Sequence, residues 1–554
     1  MNADTAPDAL LAARPPQAPA DDDSDAAVGA ARSDLKSHVE IHSHSQIELR
    51  SNYALDARGL YTVDTYLFVP RNVGLHRGNF TKEQFYGDMT SHMRLAAEPL
   101  PLSQLGDVHR TSSPLHRLAA ELDAFRSSIR PPPSRPAAVH VKLYAYLYTI
   151  SVKAELGRLA KRLKSRRARD EAERTELERK LLRTLRSARR ALWAFRRVRE
   201  GFRPFEQLCH RALAESLRVA DEHMSLYLEE RLSCFATTLD RRPQRLHGSD
   251  FVARCRLAAE ALAREEAAYR RRCGYVTLDA DDPAEGEYFT YRASQIKKNV
   301  HGALYLDPDK HSGDSFVRNA AAAVGAALAA IWALATQVPA TLAGESVRAK
   351  TIFFIGAVLT YVMKDRIKAL TNESLMRRIH AYDRVSWLHG ASLEAVGLGM
   401  LRVRLRESMH FLPLDELPPE VSALRGSRPA VRFSESAPEN VIHLRREIDL
   451  VTHGKAEPLP MGYCLHDIVR LNLRHFLVRL DDPFDHTTYF DQRRSTFASV
   501  DLPKVYHVNV VVRLSRNDAA GPPLARLDLW RIILRKDGIV RVEELGSRPV
   551  ARPE

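Results

Sequence analysis

AAAAVGAALAAIWALA occupies residues 320–335, and whether this run enters a bilayer or a protein core decides the fold class. It lies inside 26 residues, Asn319 to Gly344, that carry no charge, and a spanning helix needs only about 20 such residues. Alanine contributes little apolar weight, so Leu328, Ile331, Trp332 and Leu334 carry most of it. A second run, TIFFIGAVLTYVM, extends from Thr351 to Met363 between Lys350 and Lys364. Its 13 residues reach about 20 Å as a helix, short of a hydrocarbon core of about 30 Å unless the flanking lysines snorkel. Pro339 falls where the chain would turn between the two.

Small residues at Ala321, Gly325, Ala329 and Ala333 recur every four positions and would let a partner helix approach, with Gly356 to meet them. Lys297, Lys298, Lys310 and Arg318 precede the pair, and Lys364, Arg366 and Lys368 follow it, which places both flanks in the cytosol. Arg348 and Lys350 in the connection count against that orientation. The expectation is a two-helix hydrophobic hairpin over 316–368 that anchors the chain in the inner (plasma) membrane. The alternative is a buried core hairpin in a cytoplasmic protein.

Outward from this segment, the chain of 554 residues has room for more than one core. Its composition, 45% hydrophobic and 27% charged, is globular, and a mean hydropathy of −0.32 excludes a polytopic membrane protein. The cysteines at 209, 234, 255, 273 and 464 form no C-x-x-C pair, which argues against a zinc ribbon or disulfide framework. Residues 1–35 are rich in Ala, Pro and Asp and read as a disordered leader without an export signal.

The net charge is +14, and 18 Lys or Arg against 6 Asp or Glu lie between Arg158 and Arg203. Leu177, Leu181, Leu185, Ala188, Leu192 and Phe195 recur at helical spacing, and Val152, Leu156, Leu159 and Leu163 do the same upstream. The spacing predicts a helical or coiled-coil region over 135–275, able to bind a protein partner or self-associate. Its cations Arg158, Lys161, Arg162, Lys164, Arg166 and Arg167, with Lys364, Arg366 and Lys368 beyond the hairpin, are candidates for anionic membrane lipid. Nucleic acid is the less favoured partner because no recognised binding motif accompanies the charge.

The remaining regions read as strands. HVEIHSHSQIELR alternates as one strand in a β-rich region over 36–112. KVYHVNVVVRL, DIVRLNLRHFLVRL, LARLDLWRIILRK and IVRVEEL, the last two joined at Asp537-Gly538, predict an antiparallel β domain over 428–547. Residues 276–315 read as a strand-and-turn connector and 369–427 as a second connector. The fold class is therefore an α+β multidomain chain: helical region, hydrophobic hairpin, antiparallel β-rich C-terminal domain.

Signatures of catalysis are missing: no phosphate loop, G-x-G-x-x-G, H-E-x-x-H or G-x-S-x-G elbow occurs. His38, Glu40, His42 and His44 share one face of the predicted strand, and imidazole with carboxylate suits zinc or a related metal. Same-face neighbours stand almost 7 Å apart, so one strand supplies two ligands at most. The acidic turns Asp307–Asp314 and Asp481–Asp491 read as solvated loops. No cofactor is predicted. These readings converge on a membrane-anchored, cytosol-facing binding or scaffolding protein. The alternatives are a metal-dependent hydrolase using His38–His44 and a nucleic-acid-binding protein using 158–203.

Overall fold

Leucines at helical spacing form the inner face of a helix over Glu171–Phe202. Leu177, Leu181, Leu185, Ala188, Leu192 and Phe195 are all buried in a computed structural model of the chain. The structure describes residues 37–55, 59–110, 113–127, 134–163, 171–205, 211–240, 249–278, 283–309, 382–391, 393, 401–426, 439–452, 463–518 and 524–549, with isolated positions between 323 and 366.

Three short helices precede the helical layer: α1 (Lys82–Asp88), α2 (Leu102–Leu105) and α3 (Pro114–Ser127). The layer itself is α4 (Ser134–Leu163), α5 (Glu171–Phe202), α6 (Arg211–Asp240), α7 (Ser249–Arg272) and α8 (Pro283–Gly302). Tyrosines of α4 set its pairing with α5. The Tyr144 hydroxyl donates to the Ala191 carbonyl at 2.8 Å, Tyr148 donates to Ala188 at 3.3 Å, and Thr184 donates to Glu155 at 3.1 Å. Partner numbers fall as α4 numbers rise, so the two helices run antiparallel. α6 packs against α4, α7 and α8. Residues 283–302, read from the sequence as strand and turn, are helical. Among the described side chains of α8, Ile296 and Val300 are the fully buried hydrophobics, too sparse a pattern to show a period.

The strands form two large antiparallel sheets. Strands β1 (Ser37–Ser43), β2 (Gln46–Ala54), β9 (Tyr463–Asn472) and β4 (Met89–Ala97) make the smaller, in the order β1-β2-β9-β4. The larger has the order β14-β13-β12-β3-β8-β7-β6-β5. Its members are β3 (Gly59–Pro70), β5 (Asp307–Asp309), β6 (Arg384–His389), β7 (Leu401–Leu412), β8 (Glu439–Thr452), β12 (Tyr506–Asp518), β13 (Leu524–Arg535) and β14 (Gly538–Pro549). Strands from both ends of the chain share each sheet: β3 lies between β12 and β8. A separate ribbon pairs β10 (Phe484–Asp491) with β11 (Thr496–Pro503).

Besides their apolar core, the sheets meet through backbone hydrogen bonds. Ile539 N donates to the His44 carbonyl at 2.7 Å, and a Cβ on Gly538 would stand 2.7 Å from that same oxygen. Gly538 has φ +148°, so both its conformation and the close approach call for glycine. At the far side Leu95 N donates to Leu304 O and Leu306 N to Met93 O, after which Asp307–Asp309 pairs with β6.

The structure corrects the hydrophobic hairpin. Among the described residues no helix is long and apolar enough to cross a membrane. The physical reason is in the composition: one run is mostly alanine and the other is only 13 residues long. Described positions in this stretch, including Ala326, Ala330, Ile331 and Ile355, are helical and exposed. The proposed packing residues Ala321, Gly325, Ala329, Ala333 and Gly356 lie outside the described residues, as does the leader 1–35.

Candidate functional site

A ladder of buried charges fixes α5 in rotation. Asp221 of α6 is fully buried and accepts from Arg196 Nε at 2.9 Å, from Arg199, from the Tyr269 hydroxyl at 2.7 Å and from the Tyr275 hydroxyl at 3.0 Å. Arg196 also forks onto Glu266 of α7, at 3.0 and 2.7 Å, and its guanidinium lies 3.5 Å from the Tyr269 ring centroid. Burial disfavours the Arg196 cation, but Glu266 and Asp221 outweigh that and hold it charged far above any working pH. Two arginines of α5 are thus consumed inside the bundle.

The opposite face of α5 carries a different set. Arg179, Arg183, Arg186, Arg190, Trp193 and Arg197 follow at spacings of 4, 3, 4, 3 and 4, which stack them on one side of a helix. All six are exposed, Trp193 by 57%, and the row spans about 27 Å at 1.5 Å per residue. Arg179 pairs with Glu176, and the Arg197 guanidinium sits 4.9 Å from the Trp193 ring. Arg183, Arg186 and Arg190 have no carboxylate within ion-pair distance among the described residues. Acidic partners gather instead on the flank toward α7, where Arg189 meets Glu265 at 3.0 Å and Glu178 meets Arg254. The result is a line of like charge with one aromatic plate.

Sequence reasoning pooled these arginines with all the others of 158–203. The 4-3-4-3-4 spacing of Arg179, Arg183, Arg186, Arg190, Trp193 and Arg197 was a usable signal. Of the cations singled out there, Arg158, Lys161 and Arg162 are exposed near the end of α4 and Arg366 is an exposed helical position. Lys164, Arg166, Arg167, Lys364 and Lys368 lie outside the described residues.

The strand read over 38–50 is a hairpin with its turn at His44 and Ser45. His38 stacks edge-on against Trp530 at 5.3 Å, Glu40 pairs with Arg50, and His42 Nδ1 stands 3.4 Å from Glu48. His44 sits in the turn beside Gly538, so the four do not converge. Burial alone would raise the Glu48 carboxyl, but hydrogen bonds from Arg470 and Arg50 hold it below the usual carboxylate range. Among the described residues no group of three or more His, Cys, Asp or Glu side chains is placed to hold a metal.

One catalytic-looking arrangement escaped the sequence reading. On the β10–β11 ribbon Asp501 Oδ1 lies 2.8 Å from His486 Nδ1, and His486 Nε2 lies 2.7 Å from Ser499 Oγ. This is the bonding order of a serine nucleophile relay. His486 and Asp501 are 72% and 68% exposed, so water competes for every bond, and among the described residues nothing encloses an acyl group. A cross-strand lock on the ribbon accounts for it. Ser499→Ala is expected to leave hydrolysis of an activated ester such as p-nitrophenyl acetate unchanged. A loss of hydrolysis in that variant would instead make Ser499 a nucleophile.

Comparison with family models, curated proteins and solved structures returns no match for the chain.

Proposed function

We propose that the chain is a nucleic-acid-binding protein that holds a phosphate backbone along the exposed arginine row of α5. The observation that carries this reading is the row itself: Arg183, Arg186 and Arg190 at helical spacing, flanked by Arg179, Trp193 and Arg197. A protein partner needs an apolar anchor at the centre of its footprint, and an interfacial membrane helix needs a broad apolar face. Trp193 is the one exposed large hydrophobic on described α5, so a repeating polyanion fits the face better than either. Arginine donors match phosphate oxygens, and the indole offers an unpaired base a stacking surface that a duplex does not use.

Fluorescence anisotropy with a labelled single-stranded oligonucleotide, repeated over a range of salt, tests the proposal. Five arginines on phosphates predict log K falling against log salt with a slope of about −3 to −4. Binding that ignores salt would overturn it. Binding to anionic vesicles with none to the oligonucleotide would transfer the face to lipid headgroups and end the nucleic-acid reading.

A further inference from the structure

The β10–β11 ribbon carries apolar surface that the arginine row does not account for. Six of the 18 large hydrophobics exposed among the described residues sit on its two strands, a concentration that sets it apart from the rest of the surface. In the ribbon's register Phe490 faces Phe497 and Tyr489 faces Ala498. Alternation then puts Phe484, Phe490 and Phe497 on one face and Tyr489, Val500 and Leu502 on the other. The Phe490 and Phe497 rings meet edge to face at 5.5 Å, and Phe497 is 76% exposed. Both faces are apolar and both meet solvent.

A two-stranded ribbon is marginally stable in water, and further strands are what such a sheet needs. Among the described residues neither outer edge of this one is paired. The β10 strand is guarded by Asp485, His486 and Asp491, whereas β11, TFASVDLP, carries only Asp501, which is held by His486 across the ribbon. Charge narrows what can cover it. Between Phe484 and Val505, Asp485, Asp491 and Asp501 balance Arg493, Arg494 and Lys504, so a polyanion finds no net attraction. Arg493 and Arg494 lie in the turn at the far end, so a bilayer would meet guanidinium groups before phenyl rings.

We propose that the ribbon is a dimerisation arm: β11 pairs edge to edge and antiparallel with β11 of a second copy. The product is a four-stranded sheet with a two-fold axis near Ser499 and Val500, the middle of the strand. Area supports this occupant. At about 200 Å² per aromatic side chain, Phe484, Tyr489, Phe490 and Phe497 expose about 450 Å² in each copy. Two copies bring about 900 Å² of aromatic surface, and Val500 and Leu502 add to it. The total approaches the roughly 1,000 Å² of a specific interface, which fits association in the micromolar range. The arm is independent of the polynucleotide reading, since it uses no residue of α5.

Sedimentation velocity of the nuclease-treated full chain, over about 1–100 μM, tests the proposal. The 62.5 kDa chain is expected to double in mass with a midpoint near ~10 μM. Phe497→Glu with Val500→Glu, both at exposed positions, sets like charges beside each other across the axis and should raise the midpoint by about tenfold or more. Val500→Cys should give a disulfide-linked dimer on mild oxidation that the parent, whose Cys234 is also exposed, does not form. Arg183→Glu with Arg186→Glu and Arg190→Glu should dimerise as the parent does. A chain that stays monomeric throughout, or a dimer that the glutamate variant retains, would overturn the proposal. Loss of the dimer in the arginine variant would move the contact to α5 and overturn it equally. So would a monomer that binds phosphatidylcholine vesicles through Phe497 and Val500, because lipid would then cover the ribbon.

Discussion

Arg446→Met is expected to destabilise the two-sheet body by about 3–5 kcal/mol, the cost of stranding buried carboxylates without their cation. Arg446 on β8 is fully buried and reaches across to the smaller sheet. Its Nε donates to Glu407 of β7 at 2.8 Å, one terminal nitrogen donates to Asp467 of β9, and the other donates to Ser91 of β4 at 2.6 Å. Tyr53 adds a hydroxyl to Asp467 at 2.9 Å. Burial works against the guanidinium, yet Asp467 and Glu407 raise it above its ordinary range, so it stays charged. Without it two carboxylates face each other inside the core. Urea unfolding followed by far-UV circular dichroism reads the effect. Combining Arg446→Met with Glu407→Leu and Asp467→Leu should recover most of the loss, because a buried ion network can be replaced by apolar packing at little net cost. A single variant within about 1 kcal/mol of the parent would show that the network is solvated.

The second large effect belongs to the helical layer. Asp221→Asn keeps the shape of the side chain and removes the charge that Arg196 and Arg199 share. Glu266 still holds Arg196, but Arg199 loses its carboxylate and keeps neutral acceptors, among them the Tyr275 and Tyr269 hydroxyls at 2.8 and 3.4 Å. A loss of about 3 kcal/mol or more is expected, seen as an earlier helical unfolding transition. Because this pairing fixes which face of α5 points outward, oligonucleotide affinity should also fall in the variant under conditions where it remains folded. Unchanged stability would mean that rotation of α5 is set by its leucines alone.

Much of the helical layer was legible because its signal is local. The apolar residues chosen on α4 and α5 are the ones buried, and a period of 3.6 survives any tertiary arrangement. Strand identity was legible too: Tyr506, Val508, Val510, Val512 and Leu514 share a buried face of β12. Strand ends were not. The turn at His44 and Ser45 contains no Gly, Pro or Asn, so alternation ran through it unbroken. The run DIVRLNLRHFLVRL stops being a strand at Asn472, whose side-chain oxygen accepts from Arg474 N at 3.0 Å and starts the short helix Arg474–Leu477. Pairing between β3 and its neighbours β8 and β12 depends on contacts nearly 400 residues apart or more, which no periodicity encodes. The hairpin expectation failed because length, small-residue spacing and flanking cations were weighed above the weak apolar quality of the run: a charge-free alanine segment gains little from lipid.

For the candidate site, net charge marked a region without dividing its residues. Counting cations over 158–203 mixed Arg196 and Arg199, which are spent on Asp221 and Glu266, with Arg183, Arg186 and Arg190, which face solvent. Buried acids on α6 and α7 decide that division, and they lie in other segments.

The most direct test of the central claim is the oligonucleotide affinity of the Arg183→Glu, Arg186→Glu, Arg190→Glu protein beside that of the parent, measured by anisotropy at low salt. Reversal of three exposed charges on one helix face should leave the fold intact and weaken binding by about a hundredfold or more. Equal affinity in the two proteins would contradict the assignment of the arginine row of α5 as the binding face.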